Sequence, residues 1–268
     1  MKYGFVLPRG DARTAVRFAV LAEECGWDAF FVWEPVWGID AWVCLTAAAM
    51  RTERIKLGTM LTPLPRMRPW ELASKSATLD NLSGGRVILA VGLGAPDTGY
   101  AAFGEETDRR VRAELLDEGL DILTGLWRGQ PYEFSGKHYT VKPCDFLPPP
   151  PPVQQPRIPI WVVGAWGRRT SMARALRYDG LLPAVEGRVT PELAREMRAA
   201  IDAQRGAEAA AYDLVVEGTT AIGDAAAARE VAEVAAAGAD WWIEGLWEID
   251  GEDWDGAIQA RISAGPPR

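Results

Sequence analysis

Short apolar runs that are typical of β-strands alternate along this chain with longer amphipathic stretches that are typical of helices. The pattern occurs four times before residue 130 and four times after residue 157. Alternating strands and helices predict a parallel sheet, and eight such units in about 250 residues fit a closed (β/α)8 barrel better than an open doubly wound sheet. We therefore predict an α/β fold of the TIM-barrel type, with strands that end near Leu7, Trp33, Leu61, Val91, Val163, Leu182, Glu217 and Glu244.

Residues that favour the start of a helix follow several of the apolar runs. Asp11 and Thr190 are placed to cap helices, and Pro69 is placed to open one at its first position. A further helix is predicted from about Glu106 to Trp127. These signals support the alternation of strands and helices.

One segment, residues 128–157, interrupts this alternation. It contains hairpin-like polar and aromatic runs and five consecutive prolines, Pro148 to Pro152, which favour polyproline II conformation. Proline cannot donate a hydrogen bond within a central strand. We predict one domain spanning 1–268, in which this segment is an insertion after the fourth helix that lies outside the barrel.

Composition narrows the class of partner. The formal net charge of −8 and the pI near 4.9 argue against a nucleic-acid or anionic-membrane surface, so a small-molecule substrate is expected. The three cysteines lack metal-ligand spacing and are interpreted as reduced thiols. No secretion signal is apparent, and no run reaches the roughly 20 apolar residues that a membrane span needs. A cytoplasmic location is therefore expected.

Few kinds of catalytic chemistry are available to these residues. The one histidine, His138, lies in the inserted segment, so no zinc site and no Ser-His or Cys-His relay is predicted. Three predicted strands end in a carboxylate: Glu34, Glu217 and Glu244. Paired acids in a tryptophan-rich barrel are also typical of glycoside hydrolases, and composition alone leaves that alternative open.

The loops after the strands form the active face of a barrel, so the proline-rich stretch GTMLTPLPRMRP (58–69) is placed at its mouth. Arg66 and Arg68 are candidate anion ligands there, or simply solvated charges. The turn GAWGRR (164–169) opens a helix, and Arg168 or Arg169 could hold a phosphate there. An ordinary glycine-rich turn explains the same sequence equally well.

The stretch GTMLTPLPRMRPWELASKSATLDNLSGGRVILAVGLG (58–94) resembles the bacterial-luciferase-like superfamily of flavin- and deazaflavin-dependent oxidoreductases. Within that superfamily, the sequence GTMLTPLP is most similar to the branch that uses coenzyme F-420. The resemblance covers about residues 1–183. It implies a barrel that holds the flavin or deazaflavin ring at its mouth, and usually a homodimer. Members often have a non-proline cis peptide at the end of strand three, and the matching bond here is Met60–Leu61.

The resemblance also implies which residues contact the cofactor. The family's phosphate-binding turn after strand five matches residues 164–168, and glycines after strand four give the ring room. FMN-binding members can place an arginine where this chain has Leu93, which favours coenzyme F-420 over the alternative, FMN. The implied cofactor-binding residues are Trp33, Thr59, Met60, Leu61, Gly92, Leu93, Gly94, Gly164, Ala165, Trp166, Gly167 and Arg168.

One departure from the family pattern bears on catalysis. Many relatives have an acid followed by histidine at the end of strand two, whereas this chain has Glu34 followed by Pro35. Either hydride transfer needs no histidine, or Glu34 or Asp97 takes the protonic role, or the chain binds cofactor without turnover. We favour hydride transfer from reduced coenzyme F-420 to an unsaturated or carbonyl substrate. The alternatives are an FMN-dependent monooxygenase and a catalytically silent flavin-binding protein.

Overall fold

The computed structural model describes residues 1–249 and 253–268. Eight parallel strands close into a barrel, and the first strand pairs with the last, so the predicted (β/α)8 fold is confirmed. Numbered in chain order, the barrel strands are β1 (Lys2–Leu7), β2 (Ala29–Val32), β3 (Lys56–Thr62), β4 (Val87–Val91), β7 (Ile160–Ala165), β8 (Gly180–Ala184), β9 (Asp213–Gly218) and β10 (Trp241–Gly245). Every strand ends within two residues of its predicted end.

Helices follow the strands, and several begin where the sequence predicts. Asp11 accepts a hydrogen bond from the Thr14 backbone N–H at 2.8 Å, and Pro69 is the first residue of its helix. In the described ranges the helices are α1 (Ala12–Glu24), α2 (Ala41–Ala49), α3 (Pro69–Ser83), α4 (Arg109–Trp127), α5 (Arg169–Ala175), α6 (Pro191–Arg205), α7 (Ala225–Ala236) and α8 (Trp254–Ser263). None of them has both the length and the apolar character needed to cross a bilayer.

Helix α4 begins three residues later than predicted. Asp108 takes the N-cap position, where its carboxylate accepts hydrogen bonds from the backbone N–H groups of Arg110 and Val111, both at 2.9 Å. A short carboxylate that satisfies two free N–H groups fixes the first turn more firmly than the preceding glutamates can.

The barrel interior is filled at its N-terminal end by aromatic side chains. Trp161, near the start of β7, packs against Phe31 and Trp241 with ring centroids 5.6 Å and 5.1 Å apart. Its indole N–H donates to Asp213 at 3.0 Å, so the buried polar group is satisfied. These side chains fill the N-terminal half of the barrel, so a cavity can form only in its C-terminal half.

Residues 128–157 contribute two short strands, β5 (Phe134–Ser135) and β6 (Thr140–Val141), which form a separate antiparallel sheet. The turn between them is fastened to α4, where the Glu118 carboxylate accepts backbone N–H bonds from Lys137, His138 and Tyr139. The Tyr139 ring packs edge-on against Trp70 at the start of α3, with ring centroids 6.1 Å apart. The hairpin therefore lies on the outer side of α3 and α4.

The rest of the insertion returns along the far end of α3. Gln154 donates to the fully buried Asp80 carboxylate from its backbone N–H at 3.0 Å and from its side-chain amide at 2.7 Å. The same amide donates to the Val87 carbonyl at the start of β4. These bonds hold the chain at the N-terminal end of the barrel, opposite the mouth, a few residues before β7 begins.

Candidate active site at the barrel mouth

An irregularity in β3 shapes the mouth of the barrel. The register between β3 and β4 shifts between Thr59 and Thr62, and the Met60–Leu61 peptide bond between them is cis. The predicted non-proline cis peptide is confirmed. Met60 and Leu61 both line the mouth, where regular alternation would turn one of them away.

Two cavities share Met60, Leu61 and Val163 as a common wall. We call them the first lobe and the second lobe. The first lobe has a volume of about 330 Å³ and lies toward β2 and the turn after β4; its further lining includes Trp33, Glu34, Pro63, Leu93, Gly94, Tyr100, Arg109 and Ala165. The second lobe, of about 380 Å³, lies toward β8 and β9; its further lining is Leu182, Pro183, Val215, Glu217 and Trp247.

Glu34 brings a carboxyl group to the first lobe. Its Oε1 accepts a hydrogen bond from the Trp42 indole N–H at 3.2 Å, and its Oε2 accepts one from the Thr62 hydroxyl. Burial raises the pKa of Glu34, while the bond from Thr62 and the charge of Arg66 oppose the rise. The group therefore keeps a proton to higher pH than an ordinary glutamate does.

The turn after β4 is packed tightly against Tyr100. Gly94 has φ +76°, and a Cβ at that position would stand 1.8 Å from the Tyr100 hydroxyl oxygen. Arg112 pins the turn by donating to the Leu93 and Gly94 carbonyls, both at 3.0 Å. The buried Tyr100 hydroxyl has no hydrogen-bond partner among the described residues. That oxygen is enclosed by protein, so burial raises the pKa of Tyr100, and the nearby charge of Arg66 opposes the rise.

We expect Gly94→Ala to destabilise the protein by about 1–3 kcal/mol more than Gly84→Ala does, as measured by urea unfolding. Gly84 ends α3 at φ +66° with open space around it, so alanine there adds only left-handed backbone strain, on the order of 1–2 kcal/mol. Alanine at 94 adds the clash with Tyr100. Equal losses in the two variants would show that the turn relaxes freely.

Glu217 is the matching carboxyl group of the second lobe. The Trp247 indole N–H donates to its Oε1, and the Trp247 ring meets Trp33 edge-on, with centroids 5.9 Å apart. Gly245 leaves room for this pair, since a Cβ there would lie 2.7 Å from the Trp247 indole nitrogen. The Glu217 side chain is exposed at the mouth; partial desolvation raises the pKa of Glu217, and the bond from Trp247 opposes the rise.

Some of the site residues predicted from the sequence line the first lobe, and others lie behind its wall or outside it. Lining the first lobe are Trp33, Glu34, Met60, Leu61, Leu93, Gly94 and Ala165. Thr59, Gly92 and Gly164 are buried in the strands and the turn behind the wall. Trp166, Gly167 and Arg168 form the turn before α5 and lie outside the lining, and Asp97 is exposed outside both lobes.

The arginines predicted as anion ligands lie at different places around the mouth. Arg66 donates to the Pro35 carbonyl at 3.2 Å, and Arg68 lies over the Trp70 ring, so neither lines a lobe. Arg168 and Arg169 are exposed at the start of α5. Arg109, which the sequence did not single out, is the arginine that lines the first lobe among the described residues. Arg109 is therefore the candidate contact for an anionic group of a ligand in that lobe.

Comparison with known proteins agrees with this architecture. Residues 4–264 match the family described as luciferase-like monooxygenases. The F-420-dependent glucose-6-phosphate dehydrogenase of Amycolatopsis mediterranei is 33% identical over 160 residues, which are 56% of this chain and 47% of that one. The enzyme of the same name from Nocardia farcinica is 39% identical over 142 residues, 47% of this chain and 41% of its own. Each match thus spans less than half the length of the relative.

A solved structure shows the same fold over nearly the whole chain. The coenzyme F-420-dependent tetrahydromethanopterin reductase of Methanopyrus kandleri superposes with a TM-score of 0.78 and covers 98% of both chains at 18% identity. Similarity at that identity concerns the fold and leaves the chemistry of the mouth to the residues described above.

Proposed function

The chain belongs to the luciferase-like monooxygenase family, and on that premise we propose that it is an oxidoreductase that works with reduced coenzyme F-420 on an unsaturated or carbonyl substrate. The observation that carries the proposal is the first lobe, an apolar slot at the C-terminal mouth of the barrel with a buried carboxyl group at its edge. The names of the curated relatives support the choice of cofactor.

The residues of the first lobe fit a flat deazaflavin ring. Met60, Leu61 and Val163 supply apolar walls, while Gly94 brings backbone close to the lobe without a side chain. Tyr100 and Pro63 add to the same wall.

Bound coenzyme F-420 would supply the hydride, and the protein's own residues would supply a proton and a dry surface. We assign the proton to the carboxyl group of Glu34, whose pKa burial raises. Trp42 and Thr62 fix the orientation of that carboxyl group. Apolar walls exclude water from the reacting atoms, which strengthens electrostatic interactions there.

We expect coenzyme F-420 to bind at least tenfold more tightly than FMN, a difference of roughly 1.4 kcal/mol or more. Leu93 lines the first lobe without charge, so it offers FMN no bidentate phosphate contact at that position, and Arg109 is left to meet the phosphate of either cofactor. Side-by-side fluorescence titrations test this expectation. Equal or tighter binding of FMN would move the assignment to an FMN-dependent monooxygenase, and binding of either cofactor without substrate turnover would favour a silent binding protein.

The sequence resemblance implies a homodimer, and the surface of α2 and α3 offers a place for its contact. Val43, Met50 and Leu82 are exposed apolar side chains that line a groove of about 590 Å³ between α2 and α3. Exposed apolar side chains that cluster along one groove are typical of contact surfaces between proteins. We propose this groove as the contact surface of the dimer.

A further inference from the structure

The second lobe is unlike a site for an anionic substrate. Its lining consists of apolar and aromatic side chains and one charged group, Glu217; no lysine or arginine lines it in the part of the chain that the structure describes. An anion placed there would face the carboxylate of Glu217 at short range, which is unfavourable at low salt. The lobe therefore selects against phosphate and carboxylate groups.

The carboxyl group of Glu217 offers a polar contact to a neutral substrate. Oε1 of Glu217 accepts the bond from Trp247, while Oε2 has no hydrogen-bond partner in the described ranges. A hydroxyl group can donate to this oxygen when the carboxyl group is ionised, whereas a ketone has no donor and is held by the apolar walls. Leu182, Val215 and the Trp247 ring surround this contact with apolar surface.

The position of the lobe connects it to the proposed chemistry. It shares Met60, Leu61 and Val163 with the first lobe, so a molecule in it lies beside whatever occupies the first lobe. Trp33 lines the first lobe and Trp247 lines the second. Because their rings are in contact, they form one aromatic surface that borders both lobes. Two adjacent compartments suit a cofactor ring and a substrate.

We propose that the second lobe is the substrate subsite and that Glu217 makes it select neutral, largely apolar ketones, enones or alcohols over phosphorylated and carboxylated compounds. This inference rests on the proposed function for the role of the first lobe. It separates the chain from relatives whose name states glucose 6-phosphate, a phosphorylated sugar, as their substrate.

The test compares two matched probes, 3-methylcyclohexanone and 3-oxocyclohexane-1-carboxylate, which share a ring and differ in charge. Isothermal titration calorimetry at mildly alkaline pH and low salt measures their dissociation constants, with coenzyme F-420 absent and at saturation. We expect the wild type to bind the ketone about tenfold or more tightly than the carboxylate. Glucose 6-phosphate, as a third probe, should show no measurable binding.

Glu217→Gln keeps the shape of the side chain and removes its charge, so it should improve binding of the carboxylate about fivefold or more and change binding of the ketone little. Glu248→Gln, at an exposed acid outside the lobe, changes the net charge equally and should leave both constants unchanged. Far-UV circular dichroism and thermal unfolding confirm that each variant is folded.

Three results would overturn the inference: a wild type that binds the carboxylate or glucose 6-phosphate as well as the ketone, no measurable binding of the ketone, or an unchanged preference in folded Glu217→Gln. Failure of coenzyme F-420 to bind contradicts the proposed function instead, and the cofactor-free titrations still report on the second lobe. The two ideas therefore fail separately.

Discussion

Arg261→Met is expected to lower the free energy of unfolding by about 3–5 kcal/mol. The Arg261 guanidinium donates to the Glu244 carboxylate at 3.2 Å, and both side chains are buried, with Glu244 wholly inaccessible. Glu244 also accepts from the Trp242 indole N–H at 2.9 Å and from the Thr220 backbone N–H at 2.6 Å. Removal of the arginine leaves a buried charge without its counter-ion.

Two further variants make this measurement specific. Glu244→Gln combined with Arg261→Met removes both charges, but the single glutamine oxygen can accept from only one of the Trp242 and Thr220 N–H groups, so part of the lost stability should return. Arg17→Met breaks the pair with Asp255, which also involves α8 but is exposed on both sides, and should cost less than about 1 kcal/mol. Urea unfolding followed by circular dichroism measures all three. A loss as small in Arg261→Met as in Arg17→Met would show that the buried pair is unimportant.

Glu34→Gln is expected to reduce kcat by about 10²–10⁴-fold. Reduction of a carbonyl group consumes a hydride and a proton, and glutamine cannot donate the proton although it keeps nearly the same shape. Because burial raises the pKa of Glu34, its protonated form persists above the pH range of ordinary carboxyl groups and is lost as the pH rises through that raised pKa. The wild-type rate should fall over the same pH range.

Steady-state assays with reduced coenzyme F-420 across a range of pH measure this effect. The alkaline limb of the wild-type profile should be absent in Glu34→Gln, while binding of the cofactor and thermal unfolding should stay close to wild type. Glu34→Asp, which keeps an acid on a shorter side chain, should restore part of the rate. An unchanged rate and pH profile in folded Glu34→Gln would remove Glu34 from the mechanism.

The sequence predicted the features that depend on neighbouring residues. Apolar runs and capping residues such as Asp11 are local signals, so the strand ends and several helix starts were accessible from the sequence. The cis bond at Met60–Leu61 came from family resemblance, because no local rule requires it. The fold is thus largely encoded in short-range patterns.

The site was less accessible because its contacts join distant parts of the chain. Thr62 and Glu34 are 28 residues apart, and nothing near either residue indicates that they bond. Glu217 and Glu244 look equivalent at the ends of their strands, yet Val215 and Ile243 both face the barrel interior. Side chains alternate along a strand, so Glu217 turns into the mouth and Glu244 turns outward to Arg261. The alternation of apolar residues in β9 and β10 therefore predicts which of the two acids faces the mouth.

The inserted segment has a consequence for how this protein can diverge. Its hairpin rests on the outer sides of α3 and α4, and its return path crosses the barrel end opposite the mouth. Insertions, deletions and drift in the exposed prolines there alter the outline of the molecule and leave the walls of both lobes intact. Selection can therefore remodel this segment and tune substrate preference as two independent traits.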